Sequence, residues 1–380
     1  MAVTQWSFPT TIRFGEHASR ELAAHLQALG VKRPLVVGDA KVAELGFYEQ
    51  ILLDLKSQKL AVKSYHDFAG NPIEEHVTKG VLAYKEHDAD GLVFLGGGAA
   101  LDVGKAISLM VHHKGSLFDY EDNDKCLKID QKIPPKVAIP TTSGTGSEVG
   151  RSSVISENKS KQKKIIYSPR LMPEVVLCDP CLTFGLPASI TAATGVDALT
   201  HLIEAYVAKG HHPMCEGIAL KGVKLVAENL VLATREPQNL AARSGMMAAS
   251  LMGAVAFQKG LGITHSCAHA LSTQFDLHHG LANAMMLPHA VFFNKQKAQD
   301  KLCELALMVG IRDDGQKAVD LFIEWLEGLM VDLKMPRGLA SLSVTVTDAL
   351  IDVALNDVCH SLNPRKAGRD DFAGLFENAM

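Results

Sequence analysis

Acidic and imidazole side chains recur at helical spacing in the second half of the chain. Asp197 and His201 are four residues apart, as are His265 and His269, and His279 follows in the next segment. Side chains at that spacing lie on one helix face, about 5–6 Å apart at Cβ. Burying them among Ala and Leu residues is costly unless they are paired or bind an ion. The pattern therefore predicts a site for one divalent cation.

A run of glycines in the first half could hold a phosphate. Gly96-Gly97-Gly98 follows the apolar segment Gly91–Leu95, and a helical pattern opens at about Ala99. Glycines let the backbone approach a pyrophosphate closely, and a helix N-terminus directs N–H groups and partial positive charge at it. A tight turn without a ligand is the alternative, because the run is not the usual G-x-G-x-x-G.

Two further loops have the composition of a dinucleotide site. The segment from Pro140 to Glu148 combines five hydroxyls with two glycines. These groups suit phosphate, ribose or a carboxamide, whereas a helix cap needs only one or two hydroxyls. Asp39 follows the apolar pair Val36-Val37 and could accept both ribose hydroxyls, which would disfavour NADP. A simple helix cap is the alternative for Asp39.

The hydrophobic pattern of the sequence changes near residue 185. Before it, apolar runs alternate with helical patterns, which predicts a doubly wound parallel sheet. The predicted strands are Pro34–Val37, Ala61–Tyr65, Gly91–Leu95 and Lys136–Ile139. After Pro187, long segments such as Pro213–Leu232 and Asn239–Phe257 have a period of three to four residues. We predict an α/β dinucleotide-binding domain over 1–185 and an all-helical metal-binding and substrate domain over 186–380.

Composition excludes several classes of protein. The chain has 380 residues, 47% of them apolar, and a formal charge of −4, without the basic footprint of a nucleic-acid binder. The sequence has no run of about 18 apolar residues and no signal-like start, so it does not indicate a membrane protein. Seven scattered cysteines favour free thiols and a cytoplasmic location. Cys178 and Cys181 form one C-x-x-C, for which a turn is favoured over a redox or zinc motif.

Four motifs together resemble those of the iron-dependent (group III) alcohol dehydrogenases. They are Gly96-Gly-Gly-x-x-x-Asp102, Pro140-Thr-Thr-Ser-Gly-Thr-Gly-Ser-Glu148, Gly195-Val-Asp-Ala-Leu-Thr-His201, and His265-x-x-x-His269 with His279-Gly-x-x-Asn283. The match extends from Phe14-Gly15 to Asn363-Pro-Arg365. The resemblance implies a dinucleotide-binding α/β domain, an all-helical C-terminal domain, a divalent metal and a homodimer or higher homo-oligomer.

The resemblance also implies roles for particular residues. The metal ligands would be Asp197, His201, His265 and His279. The NAD-binding residues would be Asp39, Asn71, Gly97, Gly98, Asp102, Thr141, Thr142, Thr145 and Lys164, with Lys161 and Lys163 as alternatives to Lys164. His269 would face the pocket, where we assign it the catalytic role of proton relay. Only the resemblance favours Fe²⁺, because the same donor set suits Zn²⁺, Co²⁺ or Ni²⁺.

The predicted reaction is hydride transfer between nicotinamide C4 and a primary alcohol or aldehyde held at the metal. Arg151 and Lys259 depart from the family pattern, and if they line the pocket they favour an anionic substrate. They could equally be solvated surface charges. Two other classes stay open at this point: a dehydroquinate synthase-like cyclase without net redox change, and a degenerate member acting as a binding or regulatory protein.

Overall fold

The computed structural model describes residues 8–158 and 162–380, which form two compact units. One unit consists of Phe8–Thr142 with Ser147–Thr183, and the other of Ser143–Gly146 with Phe184–Met380. The short segment Ser143–Gly146 is therefore grouped with the second unit, although it lies far from Phe184 in the sequence. The predicted boundary at residues 185 and 186 stays a prediction.

The first unit is built on a six-stranded sheet. Its strands are β1 (Thr11–Phe14), β2 (Pro34–Val37), β3 (Lys63–Tyr65), β4 (Gly91–Gly96), β5 (Lys136–Pro140) and β8 (Val175–Cys178). They lie in the order β1-β8-β5-β4-β2-β3, and every neighbouring pair is parallel. A separate antiparallel hairpin pairs β6 (Ser152–Ser156) with β7 (Lys163–Tyr167). The parallel sheet confirms the predicted fold class of this half.

The central strands are mostly apolar because helices cover both faces of the sheet. All residues of β2, β4 and β5 are buried. The helices of this unit are α1 (Leu22–Ala28), α2 (Ala40–Ala43), α3 (Gly46–Ser57), α4 (Glu74–Glu86) and α5 (Gly98–Met110). Because the central strands are parallel, the loops that follow them leave the same edge of the sheet.

The second unit is all helical among the residues described, as predicted. Its helices are α6 (Ala188–Val207), α7 (Pro213–Arg235), α8 (Leu240–Ala256), α9 (Ile263–Phe275), α10 (His279–Asn294), α11 (Gln299–Met308), α12 (Gly315–Asp332), α13 (Asp348–Leu355) and α14 (Arg369–Asn378). Helix α6 is buried from Thr191 to Val207. A helix that is buried on all sides lies at the centre of a helical unit.

A glycine in α6 sets the close approach of its neighbour. A Cβ placed at Gly195 would lie 2.1 Å from Cδ1 of Leu230 on α7, so a larger residue would force the Leu230 side chain to move. Asp197 and His201 follow directly on α6, and both are buried. Their burial in a packed core restricts the side-chain rotamers that they can adopt.

The region around Leu240–Lys259 has the length and composition of a membrane-spanning helix. It comprises α8 and the following turn, and more than half of it is buried in the helical unit, as expected of a core helix. The C-x-x-C segment is a turn whose Asp179 carboxylate accepts hydrogen bonds from the backbone N–H groups of His17, Ser19 and Cys181. Both cysteines are free thiols.

Candidate metal centre and cofactor loops

Three histidines from three helices surround one carboxylate oxygen. The Nε2 atoms of His279, His201 and His265 lie 3.4, 4.0 and 4.0 Å from Oδ1 of Asp197. Asp197 and His201 are one turn apart on α6, whereas His265 lies on α9 and His279 begins α10. The four side chains predicted from the sequence as metal ligands are therefore neighbours in the helical unit.

The donor set fits a divalent cation. His265 is buried, and its Nε2 has no hydrogen-bond partner among the described residues. Leaving such an atom unpaired costs about 1–3 kcal/mol, which a bound ion would offset. Burial lowers the pKa of His201 to about 4, so this imidazole is neutral at neutral pH, the form that binds metals. One carboxylate oxygen and three imidazole nitrogens suit iron or zinc.

Glu204 orients His265 from behind. Its Oε2 accepts a hydrogen bond of 2.6 Å from Nδ1 of His265. The same carboxylate accepts the backbone N–H groups of Gly262, at 2.9 Å, and Thr264, at 2.6 Å. Burial alone would raise the pKa of Glu204, but these hydrogen bonds outweigh it and lower that pKa. A proton held on Nδ1 leaves Nε2 as the nitrogen that faces the site.

Asn283 contacts two of the other three predicted ligands, Asp197 and His279. Its Nδ2 donates to Oδ1 of Asp197 at 2.7 Å and lies 3.2 Å from Nε2 of His279. Sequence reasoning did not assign roles to Glu204 or Asn283, although spacing could have found both. Glu204 is seven residues after Asp197 on α6, and Asn283 is four residues after His279 on α10, so each shares a helix face with a ligand.

Replacing Glu204 with glutamine is expected to weaken metal binding 10–100-fold, the usual cost of losing a carboxylate behind a ligating histidine. The glutamine carbonyl can still accept a hydrogen bond, but its NH₂ group would face N–H donors. Equilibrium dialysis against Fe²⁺ or Zn²⁺ measures the dissociation constant. Glu228→Gln, at an exposed position on α7, is the matched control. An unchanged constant in Glu204→Gln would show that His265 needs no such support.

His269 lies beside this cluster and not within it. Its ring stacks on that of His279 with centroids 5.3 Å apart, and its Nδ1 lies 2.8 Å from Oδ2 of Asp357. Burial alone would raise the pKa of Asp357, but the contact with His269 holds it well below its usual range. Asp357 was not predicted, because it follows His269 by 88 residues in the sequence and no local spacing connects the two.

Five of the predicted NAD-binding residues follow central strands and lie at one edge of the sheet. Gly97 and Gly98 follow β4, and Thr141 and Thr142 follow β5, which is the neighbouring strand. The N–H of Thr141 donates to the carbonyl of Gly96 at 3.0 Å. A Cβ at Gly97 would lie 3.3 Å from Cγ2 of Thr142, so these two loops are in contact.

Asp39 follows β2, the next strand along the same edge. Its Oδ1 caps α2 by accepting the N–H groups of Lys41 and Val42, each at 3.0 Å. One carboxylate oxygen of Asp39 therefore caps a helix, as the alternative interpretation predicted. A Cβ at Gly96 would lie 3.6 Å from the other oxygen, Oδ2, which is therefore close to the glycine loop. The predicted contact with ribose stays a prediction.

Two other predicted residues of this unit are held by protein contacts. The carboxylate of Asp102 accepts the hydroxyl of Ser147 at 2.6 Å and the N–H of Val154 at 3.1 Å. Nζ of Lys164 lies 2.7 Å from Oε2 of Glu121. Asn71 lies in the segment that follows β3, whereas Thr145 belongs to the helical unit. Lys161, an alternative to Lys164, lies outside the described residues.

The expectation that Lys259 could bind an anionic substrate is wrong. Lys259 is buried, and its Nζ donates to the carbonyls of Ala205, Tyr206 and Ala208 at 2.9, 2.7 and 2.6 Å. It also lies 3.2 Å from Oε1 of Glu216. These carbonyls end α6, where orphan acceptors and the helix dipole favour a cation. Burial lowers the pKa of Lys259 to about 8.

Replacing Lys259 with methionine is expected to lower the free energy of unfolding by about 3 kcal/mol, because buried carbonyls at the end of α6 lose their donor. Urea unfolding followed by circular dichroism measures the change. Lys221→Met, at an exposed position on α7, should leave stability within about 0.5 kcal/mol. If both variants unfold at the wild-type urea concentration, the Lys259 contacts contribute nothing to stability.

Comparison with known proteins agrees with the motifs and the fold. The model of the family described as iron-containing alcohol dehydrogenase matches residues 9–180. A second model, described as the C-terminal region of the Fe-containing alcohol dehydrogenase family, matches residues 191–380. Together the two matches cover both units of the chain.

Individual relatives extend over nearly the whole chain. A 4-hydroxybutyrate dehydrogenase from Cupriavidus necator is 36% identical over 94% of this chain and 95% of its own length. The crystal structure of a 1,3-propanediol oxidoreductase has 34% identity and a TM-score of 0.95, covering 100% of both chains. That of sulfoacetaldehyde reductase from Bifidobacterium kashiwanohense, in complex with NAD+, has 30% identity and a TM-score of 0.90, covering 100% of this chain and 99% of the other. The chain belongs to the iron-containing alcohol dehydrogenase family.

Proposed function

We propose that the protein is a metal- and NAD-dependent alcohol dehydrogenase. It oxidises a primary alcohol to an aldehyde, with the hydride passing to NAD+ and one proton to solvent, or runs in reverse as an aldehyde reductase. The observation that carries the proposal is the approach of three imidazole Nε2 atoms to one carboxylate oxygen, at 3.4–4.0 Å. Family membership supplies the reaction type.

The ligands of the cation would be Asp197, His201, His265 and His279. When bound there, the cation supplies Lewis-acid polarisation of the substrate oxygen. Glu204 keeps the Nδ1 proton of His265 in place, and Asn283 holds the carboxylate of Asp197. Because these partners are buried, the donor set is preorganised and needs little rearrangement to receive an ion.

The loops after β2, β4 and β5 would bind the dinucleotide, which supplies the hydride acceptor when bound. Gly97 and Gly98 open α5, so backbone N–H groups there can bind the pyrophosphate. The hydroxyls of Thr141 and Thr142 lie beside this loop. Asp39 would accept the ribose hydroxyls and disfavour the additional phosphate of NADP. The NAD+ complex of sulfoacetaldehyde reductase supports this choice of cofactor.

His269 would move the proton. Its Nδ1 is paired with Asp357 at 2.8 Å, so Nε2 is the nitrogen that can exchange a proton with the substrate or a water. The carboxylate also stabilises the imidazolium that forms when Nε2 accepts a proton. The stack on His279, at 5.3 Å between ring centroids, keeps His269 next to the ligand cluster.

Absorbance of NADH during incubation with primary alcohols, diols and ω-hydroxy acids tests the proposed function. We expect NADH to form with the metal-loaded protein, to stop after chelation, and to resume as Fe²⁺, Zn²⁺ or Co²⁺ is restored singly. No NADH formation with any alcohol under any metal would contradict the proposal and would favour a cyclase or a binding role.

The finer parts of the proposal are Fe²⁺ as the native metal, a homodimer or higher homo-oligomer, and action in the cytoplasm. Elemental analysis after purification without added metal tests the first, and light scattering in solution tests the second. An anionic substrate group stays a prediction for Arg151 alone. The relatives named for 4-hydroxybutyrate and sulfoacetaldehyde favour it, and a kinetic panel of anionic and neutral aldehydes of similar size tests it.

A further inference from the structure

A second group of metal-binding side chains lies next to the predicted metal centre. One ligand atom from each of His269, Asp357 and Cys359 lies within 4.8 Å of the other two. Nδ1 of His269 is 2.8 Å from Oδ2 of Asp357 and 3.9 Å from Sγ of Cys359. We propose that these three residues bind a second divalent ion that prefers sulfur and nitrogen ligands, such as Zn²⁺, and that this ion inhibits the enzyme.

The distances are close to those that such an ion needs. Zn²⁺ binds nitrogen at about 2.0–2.1 Å and sulfur at about 2.3 Å, so tetrahedral ligands of this kind are roughly 3.5 Å apart. The observed separations, 2.8 and 3.9 Å, bracket that value and require shifts of less than about 1 Å at each side chain. The fourth position would be taken by water, as in zinc sites that are not purely structural.

The carboxylate is already oriented by its other oxygen. Oδ1 of Asp357 accepts the hydroxyl of Ser266 at 2.9 Å and the N–H of Cys359 at 2.9 Å. Such support behind a ligand is typical of metal sites. The His269 and Asp357 side chains are 13% and 16% exposed, so an ion from solution can reach them.

The protons and charges of the binding step can be accounted for in full. Starting from neutral His269, the ion replaces the Nδ1 proton, and the ring takes up a proton at Nε2 instead. The Cys359 thiol loses its proton to solvent, so one proton is released for each ion bound. The +2 charge of the ion then meets one carboxylate and one thiolate, and the site is neutral overall.

The inhibitory part of this inference rests on the proposed function, whereas the metal site does not. With an ion on Nδ1 and a proton on Nε2, His269 has no nitrogen left to accept a proton. Proton transfer through this residue would therefore stop while the second ion is bound.

Cobalt titration of the full-length protein without oxygen separates the two sites, because Asp197 and its three histidines include no sulfur. Thiolate bound to Co²⁺ absorbs in the near ultraviolet, so we expect this absorption only with the second equivalent. Cys359→Ser and His269→Gln should each abolish it while still binding the first equivalent. Cys181→Ser is the matched control and should keep it, because both carboxylate oxygens of Asp179 beside that thiol already accept hydrogen bonds from backbone N–H groups.

Absence of the near-ultraviolet absorption at two equivalents in the wild type would overturn the site, as would its persistence in Cys359→Ser. If Cys359→Ser fails to bind the first equivalent of Co²⁺, the test uses His269→Gln instead. Persistence of the near-ultraviolet absorption in that variant would then overturn the site. Zn²⁺ added beyond one equivalent should lower turnover at least tenfold in the wild type and leave that of Cys359→Ser unaffected. A second cobalt ion without this inhibition would overturn the regulatory part alone, and failure of NADH formation would leave the binding result standing.

Discussion

Asp197→Asn should lower kcat/KM by about 10³-fold, the scale expected when one preorganised charge is lost from a reaction centre. The carboxylate is the only anion among the four predicted ligands, so its removal leaves three neutral imidazoles facing a dication. Its Oδ1 accepts a hydrogen bond from Nδ2 of Asn283 and lies within 4.0 Å of the Nε2 atoms of the three histidines. Loss of metal content should accompany the loss of activity.

Steady-state kinetics and elemental analysis of the same preparation check this prediction together. Asp332→Asn is the control, since that carboxylate is exposed and pairs with Arg235 at the surface. It should keep activity within about twofold, because exposed ion pairs contribute little. An Asp197→Asn protein that kept its metal and wild-type turnover would contradict the assignment of the metal centre.

His269→Gln should lower kcat by about 10² at neutral pH, the usual contribution of a positioned acid–base group. Glutamine can still donate a hydrogen bond to Asp357, but it cannot carry a proton between substrate and solvent. We expect the metal content to stay at the wild-type value, KM to change little, and the pH profile of kcat to differ from that of the wild type. Added imidazole should restore part of the turnover.

The pH profile and the rescue distinguish proton transfer from a structural role. A variant impaired only in packing would keep the wild-type pH dependence and would not respond to imidazole. His25→Gln is the control, because His25 is far from the ligand cluster in the sequence and its Nε2 lies 3.3 Å from Oε2 of Glu21. Wild-type kcat and an unchanged pH profile in His269→Gln would remove this residue from the mechanism.

Elements with a strong apolar pattern could be predicted from the sequence, and those without one could not. Strand β2 has the predicted bounds, and β4 and β5 each extend one residue beyond them, because a buried parallel strand is an unbroken apolar run. The hairpin of β6 and β7 was not predicted, since its strands are short and mostly polar or charged. The edge strand β1 is largely exposed and lacks an apolar signature.

The same contrast holds for the candidate site. Pairs at i and i+4 on one helix were visible in the sequence, and the structure brings His201 and His265 to the same carboxylate. Contacts between distant segments, such as His269 with Asp357, depend on how α9 packs against the chain after α13, which no local pattern encodes. The role of Lys259 was predicted wrongly, because the sequence alone does not show that its ammonium group donates to carbonyls at the C-terminal end of the buried helix α6.

The location of a single bound ion decides whether Asp197 and the three histidines form the metal centre. Crystals of the protein reconstituted with one equivalent of Fe²⁺ or Zn²⁺ should show one anomalous scattering peak at the absorption edge of that metal. We expect this peak within about 2.0–2.2 Å of Nε2 of all three histidines and of the Asp197 carboxylate. A fully active crystal preparation whose ion lies at any other set of ligands would contradict this assignment.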